Sequence, residues 1–368
     1  MTKSSNLFVV VAIQLIGAVA LAGWACGGQK SKPASPTSYI LTPMNVEMCG
    51  PVAINDKGDV LIERQLVEFA SPAPLIINRK GKETQPFECP SGNEPSTEGS
   101  ALNNRGDVVG SCGGLRPFGF VANLKSGSVN FLQYPGALAT WGFGINDLDQ
   151  VVGFYENQPE PPFCCFLPPR HLHSYLWNPV IGEYRTIDHP FSVVTGWPTF
   201  LTHINNKGQI AGYHVEESYR PFSVAHSFIY DNGTFTPVQH PRAWDEYSTF
   251  IYGLNNNSHL FGAYAGPGCG RCLFLYNGIE YLDVNLPLPD NAPYPNGMLV
   301  FPASLINFGG LNDSDQFVGT YSRILEWGPD PFHPGEFAPT KTEVVNFIAT
   351  PQKVRPPKSG KNKKEMVN

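Results

Sequence analysis

Gly144-Ile-Asn-Asp-Leu-Asp-Gln-Val-Val-Gly153 is the stretch that decides the fold. An apolar residue is followed by Asn-Asp, a short polar turn and a run that is apolar on both faces. Five relatives of it stand elsewhere in the chain: Ala53-Ile-Asn-Asp-Lys-Gly-Asp-Val60, Ala101-Leu-Asn-Asn-Arg-Gly-Asp-Val-Val-Gly110, His203-Ile-Asn-Asn-Lys-Gly-Gln-Ile-Ala-Gly212, Gly253-Leu-Asn-Asn-Asn-Ser-His-Leu-Phe-Gly262 and Gly310-Leu-Asn-Asp-Ser-Asp-Gln-Phe-Val-Gly319. Their first asparagines, Asn55, Asn103, Asn146, Asn205, Asn255 and Asn312, are 48, 43, 59, 50 and 57 residues apart. A unit recurring at such a period builds an array in which neighbours bury each other's faces.

The motif reads as a hairpin. The apolar residue ends one strand, and the asparagine side chain accepts from a backbone N–H two residues on, closing an Asx-turn. The fourth turn position calls for positive φ, supplied freely by Gly58, Gly106 and Gly208 and tolerated by Asp149, Asp315 and, less readily, Ser258. The strand that follows has no polar face, so it is expected to be covered on both sides. A second hairpin comes next, clearest where Ser227-Phe-Ile-Tyr230 turns at Asp231-Asn-Gly233 and where Cys272-Leu-Phe-Leu-Tyr276 turns at Asn277-Gly278. Four strands per unit and short first and last turns predict an all-β fold, a β-propeller of about six four-stranded blades. The alternative is another closed or stacked β-repeat array. Ser38-Tyr-Ile-Leu-Thr42, ahead of the first motif, resembles a fourth strand that would pair into the last blade and close the ring.

These elements resemble the HAF repeat of bacterial extracellular repeat proteins. The resemblance rests on the Ile-Asn-Asp element, the His-Ser-Phe-Ile-Tyr strand at His226–Tyr230 (and its relative at His173–Trp177) and the Asn-Gly turn. It covers about residues 52–345 and implies export and repetition, with no catalytic assignment attached.

Composition agrees with a packed β protein. Gly and Pro number 37 and 35 of 368 residues, aromatics make up 12% and charged residues only 15%. That is too much turn chemistry for helices and too much aromatic content for disorder. Residues 1–25 read as a signal peptide: Lys3, an apolar run from Leu7 to Ala25, and Ala20-Leu-Ala22 as a cleavage pattern. Cys26 resembles the lipidated cysteine of a bacterial lipoprotein, and a Ser/Pro/Lys linker fills residues 26–37. Residues 38–350 are the repeat domain and 351–368 a basic tail without apolar period. The tail from Lys353 carries six Lys/Arg and one Glu, +5, which leaves −6 − 5 = −11 on the rest. An acidic body does not suit nucleic acid. The expected setting is extracytoplasmic, as a lipoprotein or released, with the membrane touched only through signal or lipid.

In an up-and-down blade the motif turns share one rim, and the long irregular loops share the other. Binding residues concentrate on loops held by a rigid scaffold, so the long-loop face is the expected working face. Cys49, Cys89, Cys112, Cys164, Cys165, Cys269 and Cys272 fall on or beside it and read as disulfide staples. Cys269-Gly-Arg-Cys272 has redox spacing without a helix start to activate it. Cys164, Cys165, His171 and His173 suggest a metal, but His173 matches His226 in the repeat and has a structural reason. Asp56, Asp147 and Asp313 sit in turns that lack the calcium-loop ladder, and Arg105-Gly-Asp107 lies inside a repeat turn. Trp197, Tyr219, Trp244 and Tyr247 would make a ligand platform for a protein or a glycan. No nucleophile elbow, phosphate loop, zinc-protease helix or dinucleotide fingerprint is present. The expectation is therefore a non-enzymatic binding or surface-interaction module without cofactor, metal or catalytic residue. A glycan-active enzyme using paired carboxylates on the loop face and a purely structural envelope protein are the rivals.

Overall fold

The computed structural model describes residues 37–44, 49–65, 72–85, 87–90, 97–114, 116–158, 172–216, 224–246, 248–292, 304–330, 333 and 337–352. The signal, Cys26, most of the linker and the tail beyond residue 352 lie outside these.

The repeat asparagines head six units of antiparallel strands. Unit one is β2 (Cys49–Ile54), β3 (Val60–Gln65) and β4 (Pro72–Ile77). Unit two is β5 (Thr97–Leu102), β6 (Asp107–Cys112), β7 (Phe118–Asn123) and β8 (Ser128–Leu132). Unit three is β9 (Ala139–Ile145), β10 (Val151–Glu156), β11 (Leu172–Asn178) and β12 (Glu183–Thr186). A short helix, α1 (Pro190–Thr195), leads into unit four: β13 (Thr199–Ile204), β14 (Ile210–Glu216), β15 (Val224–Asp231) and β16 (Thr234–Pro237). Unit five is β17 (Thr249–Leu254), β18 (Leu260–Gly266), β19 (Cys269–Tyr276) and β20 (Tyr281–Asn285). Unit six is β21 (Ser304–Gly309), β22 (Phe317–Pro329), β23 (Phe337–Pro351) and, from the other end of the chain, β1 (Thr37–Met44).

This is the all-β propeller class the repeat predicts. The first strands of successive units contact one another, so they surround a central axis. The expected closing strand is β1: Tyr39 to Met44 pair antiparallel with Pro351 to Asn346. Thr37 and Ser38 also pair in parallel with Val284 and Asn285, fusing units five and six into one eight-stranded sheet. Among the described residues, unit one departs from four strands. Its last strand is reduced to a bridge from Ile77 to Glu83 and single bonds from Thr84 and Phe87 to β4. The segment Thr84-Gln-Pro-Phe87 carries a proline, which has no N–H to give a ladder.

The hydrophobic clusters lie between units. Val109, Val121 and Leu132 of unit two pack on Ile145, Val151, Tyr155 and Tyr175 of unit three. The second strands are covered on both faces as their composition asks: Val108, Val109, Val151 and Val152 are all fully buried. Each such side chain is worth roughly 1.5–3 kcal/mol of transfer free energy.

The glycine ending each Val-Val-Gly run has a reason the sequence hides. In units two to five the first strand carries a bulge beside it, as between Leu201 and His203, and in unit six the bulge falls one pair further along, between Leu305 and Asn307. The bulge pushes a carbonyl at the glycine, and an aromatic from the third strand closes over it. The cross-strand partners are Gly110 and Phe120, Gly153 and Tyr175, Gly212 and Phe228, Gly262 and Phe274, and Gly319 and Phe347. In unit one the pair is Ile62 and Leu75. A larger residue on one strand is matched by a smaller one on the other, so volume is conserved. That explains why the first motif continues Leu61-Ile62 without a glycine.

Candidate functional site

Two places on the axis collect polar or aromatic side chains: the motif rim and the channel wall leading away from it.

At the motif rim each turn forms as predicted. The asparagine Oδ1 accepts the N–H two residues on, at 3.0 Å from Lys57, Arg105 and Leu148. The fourth turn position has positive φ in all six units, from 57° at Asp315 to 92° at Gly106. The Nδ2 atoms do what a single repeat cannot reveal. Asn55 donates to the carbonyl of Asn103, Asn103 to Asn146, Asn146 to Asn205, Asn205 to Asn255, Asn255 to Asn312, and Asn312 back to Asn55, at 3.0–3.2 Å. The ring is closed, and all six asparagines are buried. The next residue of each motif makes a second closed ring. The backbone N–H groups of Asp56, Asn104, Asp147, Asn206, Asn256 and Asp313 each donate to the side-chain oxygen of the following member, at 2.6–2.8 Å. Together they rim a small polar funnel on the axis. The turns are thus also the bolts that hold unit to unit.

Along the first strands, two positions keep contact with solvent while most of their alternates are buried. Five residues before the motif asparagine stand Gly50, Glu98, Trp141, Phe200, Phe250 and Asn307; three before it stand Val52, Ser100, Phe143, Thr202, Tyr252 and Gly309. Because these strands surround the axis, this is the channel wall, and it is divided. Units three to five are aromatic: Trp141 stacks on Phe154 at 4.6 Å, Phe154 meets Phe200 edge-on at 5.2 Å, and Phe200 packs on Tyr213 at 5.1 Å. Units six, one and two are small, polar and acidic. Glu63 of β3 accepts from the Gly99 N–H at 2.7 Å. Burial, helped by the Glu98 carboxylate, pushes its carboxyl up to about 7. Burial raises Glu98 as well. Arg271, on β19 between Cys269 and Cys272, lies 4.4 Å over the Phe308 ring and hydrogen-bonds Tyr252. Burial lowers the neighbouring His203 to about 4.

The loop rim carries a recurring clamp. After the last strand of a unit comes an Xaa-Pro pair whose Xaa N–H donates to a buried threonine of the next unit. These are Cys89 to Thr97, Tyr134 to Thr140, His189 to Thr199 and His240 to Thr249, at 2.8–3.0 Å. The Xaa side chain lies flat on the residue two beyond the motif glycine of that next unit. Tyr134 stacks on Tyr155 at 3.6 Å, His189 on His214 at 4.0 Å and His240 on Tyr264 at 3.7 Å. Between units one and two the same two places are taken by Cys89 and Cys112, joined as a disulfide with Cα atoms 5.7 Å apart. One cross-link and three stacks therefore do the same job. The signal was legible: Cys89-Pro, Tyr134-Pro, His189-Pro and His240-Pro each precede a threonine six to ten residues on.

These clamps titrate differently. Burial, then the neighbouring His189 and His226, lowers His214 to about 3. Burial, then Arg242, lowers His240 to about 4. A folded-state value below the unfolded one gives stability that is present above about pH 6.5 and lost as pH falls through the folded value. Thermal stability is therefore expected to fall between pH 6.5 and 4, by on the order of 2 kcal/mol after discounting the partly open His214. The double variant His189→Tyr/His214→Tyr, which copies the Tyr134/Tyr155 pair, should lose part of that slope. An unchanged slope would remove the histidines as its cause.

Of the other candidates, Cys269 and Cys272 are disulfide-bonded within the β18–β19 hairpin. His173 is held by Asp188, Nδ1 to Oδ2 at 2.7 Å, and Tyr155 packs on its ring. Its repeat partner His226 meets Glu216 at 2.9 Å. Trp197 is half-buried behind α1, Trp244 is 61% exposed, and no ring contact joins them. Cys164, Cys165, His171, Tyr219 and Tyr247, and the side chain of Cys49, lie outside the described residues. The channel residues Glu63, Glu98, Trp141 and Phe200 were not singled out from the sequence. They lie within or just ahead of the strands flanking the motif turns, and only ring closure brings them together.

The fold defines the class, a β-propeller closed by its N-terminal strand. No protein-family model matches the chain, and no curated protein matches it. Solved structures similar to it include the propeller domain of the Trilobed protease from Pyrococcus furiosus, at 10% identity over 80% of this chain and 85% of that one, TM-score 0.44. TolB from Acinetobacter baumannii is similar at 10% identity over 83% and 63%, TM-score 0.41. A gluconolactonase from Xanthomonas campestris is similar at 12% identity over 89% and 100%, TM-score 0.40. These are likenesses of architecture alone.

Proposed function

We propose that this is an exported binding module, non-enzymatic, that takes a protein or glycan ligand at the loop-side mouth of its channel. The divided channel wall carries the reading. Aromatic faces on units three to five oppose Glu63, Glu98 and Asn307, an arrangement that offers apolar area on one side and hydrogen-bonding groups on the other. The disulfides Cys89–Cys112 and Cys269–Cys272 support an oxidising compartment, and the HAF-type repeat supports export. The test is a glycan and peptide array probed with the chain from residue 37 onward. A ligand in the micromolar range is expected, weakened about tenfold by Glu98→Gln or Asn307→Ala, which stand on the channel wall and keep contact with solvent. No ligand at high micromolar concentration, or binding indifferent to both changes, would count against it. A second reading, glycan hydrolysis, is favoured by one feature: Glu63 is buried beside the Glu98 carboxylate, which pushes its carboxyl up to about 7. Turnover of an array ligand, abolished by Glu63→Gln, would replace binding with catalysis.

A further inference from the structure

The second axial ring contains three carboxylates, Asp56, Asp147 and Asp313, and three amides, Asn104, Asn206 and Asn256. Where a carboxylate meets an amide, the amide donates. Asn104 gives its Nδ2 to both Asp56 and Asp147, Asn206 to Asp147 and Asn256 to Asp313, at 2.6–3.1 Å. One junction has two carboxylates and no amide. Asp313 donates its backbone N–H to Asp56 Oδ1 at 2.6 Å, and the two side chains are within hydrogen-bonding reach of each other. That junction joins unit six to unit one, where the ring closes. The units are pressed together there: a Cβ on Gly309 would come within 2.3 Å of the Val52 carbonyl, and one on Gly310 within 2.9 Å of the Ile54 nitrogen.

We propose that Asp56 and Asp313 hold one proton between them, so that the seam closing the propeller is tightened by acid and loosened as pH rises. Two carboxylates in contact cannot both stay ionised without cost, and an O–H between them restores the donor that the other carboxylate junctions take from asparagine. The cations nearby are committed elsewhere. Lys125 pairs with Asp59 at 3.1 Å, Arg105 with Asp107 and Asp149, and His259 with Asp315 at 2.8 Å. Lys57, in the Asp56 turn, is exposed, and no ion pair joins it to either carboxylate among the described residues. From units two and five the amides of Asn104 and Asn256 reach the two carboxylates, and Asn257 Nδ2 donates to the Asp313 carbonyl at 3.0 Å. Burial first, then the Asp313 carboxylate, holds Asp56 above its usual range, against the Asp313 N–H and the Asn104 amide. Asp147, also desolvated but flanked by Asn206 and Asn104, is lowered. With the folded value raised, the contribution of Asp56 is complete at low pH and lost as pH rises through that value.

The experiment compares thermal unfolding of the full chain and of Asp56→Asn, Asp313→Asn and Asp147→Asn from pH 5 to 8, together with the infrared carboxyl C=O band. Asp56→Asn and Asp313→Asn each supply the missing donor permanently. They are expected to raise the midpoint at pH 8 by about 2 to 4 °C and to flatten its pH dependence relative to wild type. Asp147→Asn should lower it. The protonated-carboxyl band is expected to persist to higher pH in wild type and Asp147→Asn than in the other two variants, with the buried Glu63 contributing equally to all four. The histidine clamps respond alike in all four proteins, so the differences read the seam. A lower midpoint in both seam variants at pH 8, or protonated bands that disappear at the same pH in all four proteins, would overturn the shared proton.

Discussion

Asn205→Ala is expected to cost about 3–5 kcal/mol, much of the stability a domain typically has. The asparagine is buried and uses both ends of its amide. Oδ1 accepts the N–H of Lys207 at 3.1 Å and of Gln209 at 3.0 Å. Nδ2 donates to the Asn255 carbonyl at 3.0 Å and to Gln209 Oε1 at 2.9 Å. Alanine leaves the two turn N–H groups and the carbonyl of the next unit without these partners, each worth about 1–3 kcal/mol when buried. Asn205→Asp separates the two roles: it keeps the turn acceptor and loses the donor to unit five. Its loss should lie between wild type and alanine. Urea unfolding at pH 7 is the measurement, and a midpoint for Asn205→Ala close to wild type would show that the inter-unit ring adds nothing to the turn.

Gly153→Ala is expected to be as severe or worse, on the order of 4 kcal/mol or more, for a different reason. A Cβ at this position would stand 2.0 Å from the Trp141 carbonyl oxygen and 3.1 Å from Tyr175. The oxygen belongs to backbone held by the bulge in β9. It cannot turn aside as a side chain would. Gly110 and Gly212 face the same contact, at 1.9 Å from the Glu98 oxygen and 2.3 Å from the Phe200 oxygen. A compensating change makes the prediction sharper. Unit one fills the same space with Ile62 and Leu75 in place of glycine and an aromatic, so Gly153→Ala should be partly rescued by Tyr175→Leu and not by Tyr175→Phe. Soluble yield and urea midpoint of the single and double variants check this. Wild-type stability in the single variant would mean that β9 moves away freely.

Much of the fold was legible because it follows from local chemistry. An asparagine before a turn, a glycine or aspartate at the positive-φ position and Asn-Gly at Asn232-Gly233 act within a few residues, and all behave as their types dictate. Strand β1 was legible too, because an array of four-strand units that lacks a clean last strand needs one from elsewhere. Less of the site was readable. Trp197 and Trp244 were noticed because they interrupt irregular loops, yet they do not meet. Glu63, Glu98, Trp141 and Phe200 look like ordinary strand residues, and Cys89, Tyr134, His189 and His240 share only a following proline and a later threonine until the units are superimposed.

By itself, then, the sequence determined what each unit is: its turns, its strand order and the two-sided burial of its second strand. The turns and strand order depend on contacts only a few residues apart, and the composition of the second strand already demands cover on both faces. Which residues share the axis was decided by tertiary structure. Nδ2 of Asn312 reaches Asn55 across 257 residues of chain, and Asp313 meets Asp56 across the same interval. The motif that opened the sequence is a turn in each unit and, once the ring closes, a bolt between units. Local spacing fixes the first role, because a hydrogen bond two residues away needs only the right backbone angles. The second exists only when six copies are brought around one axis.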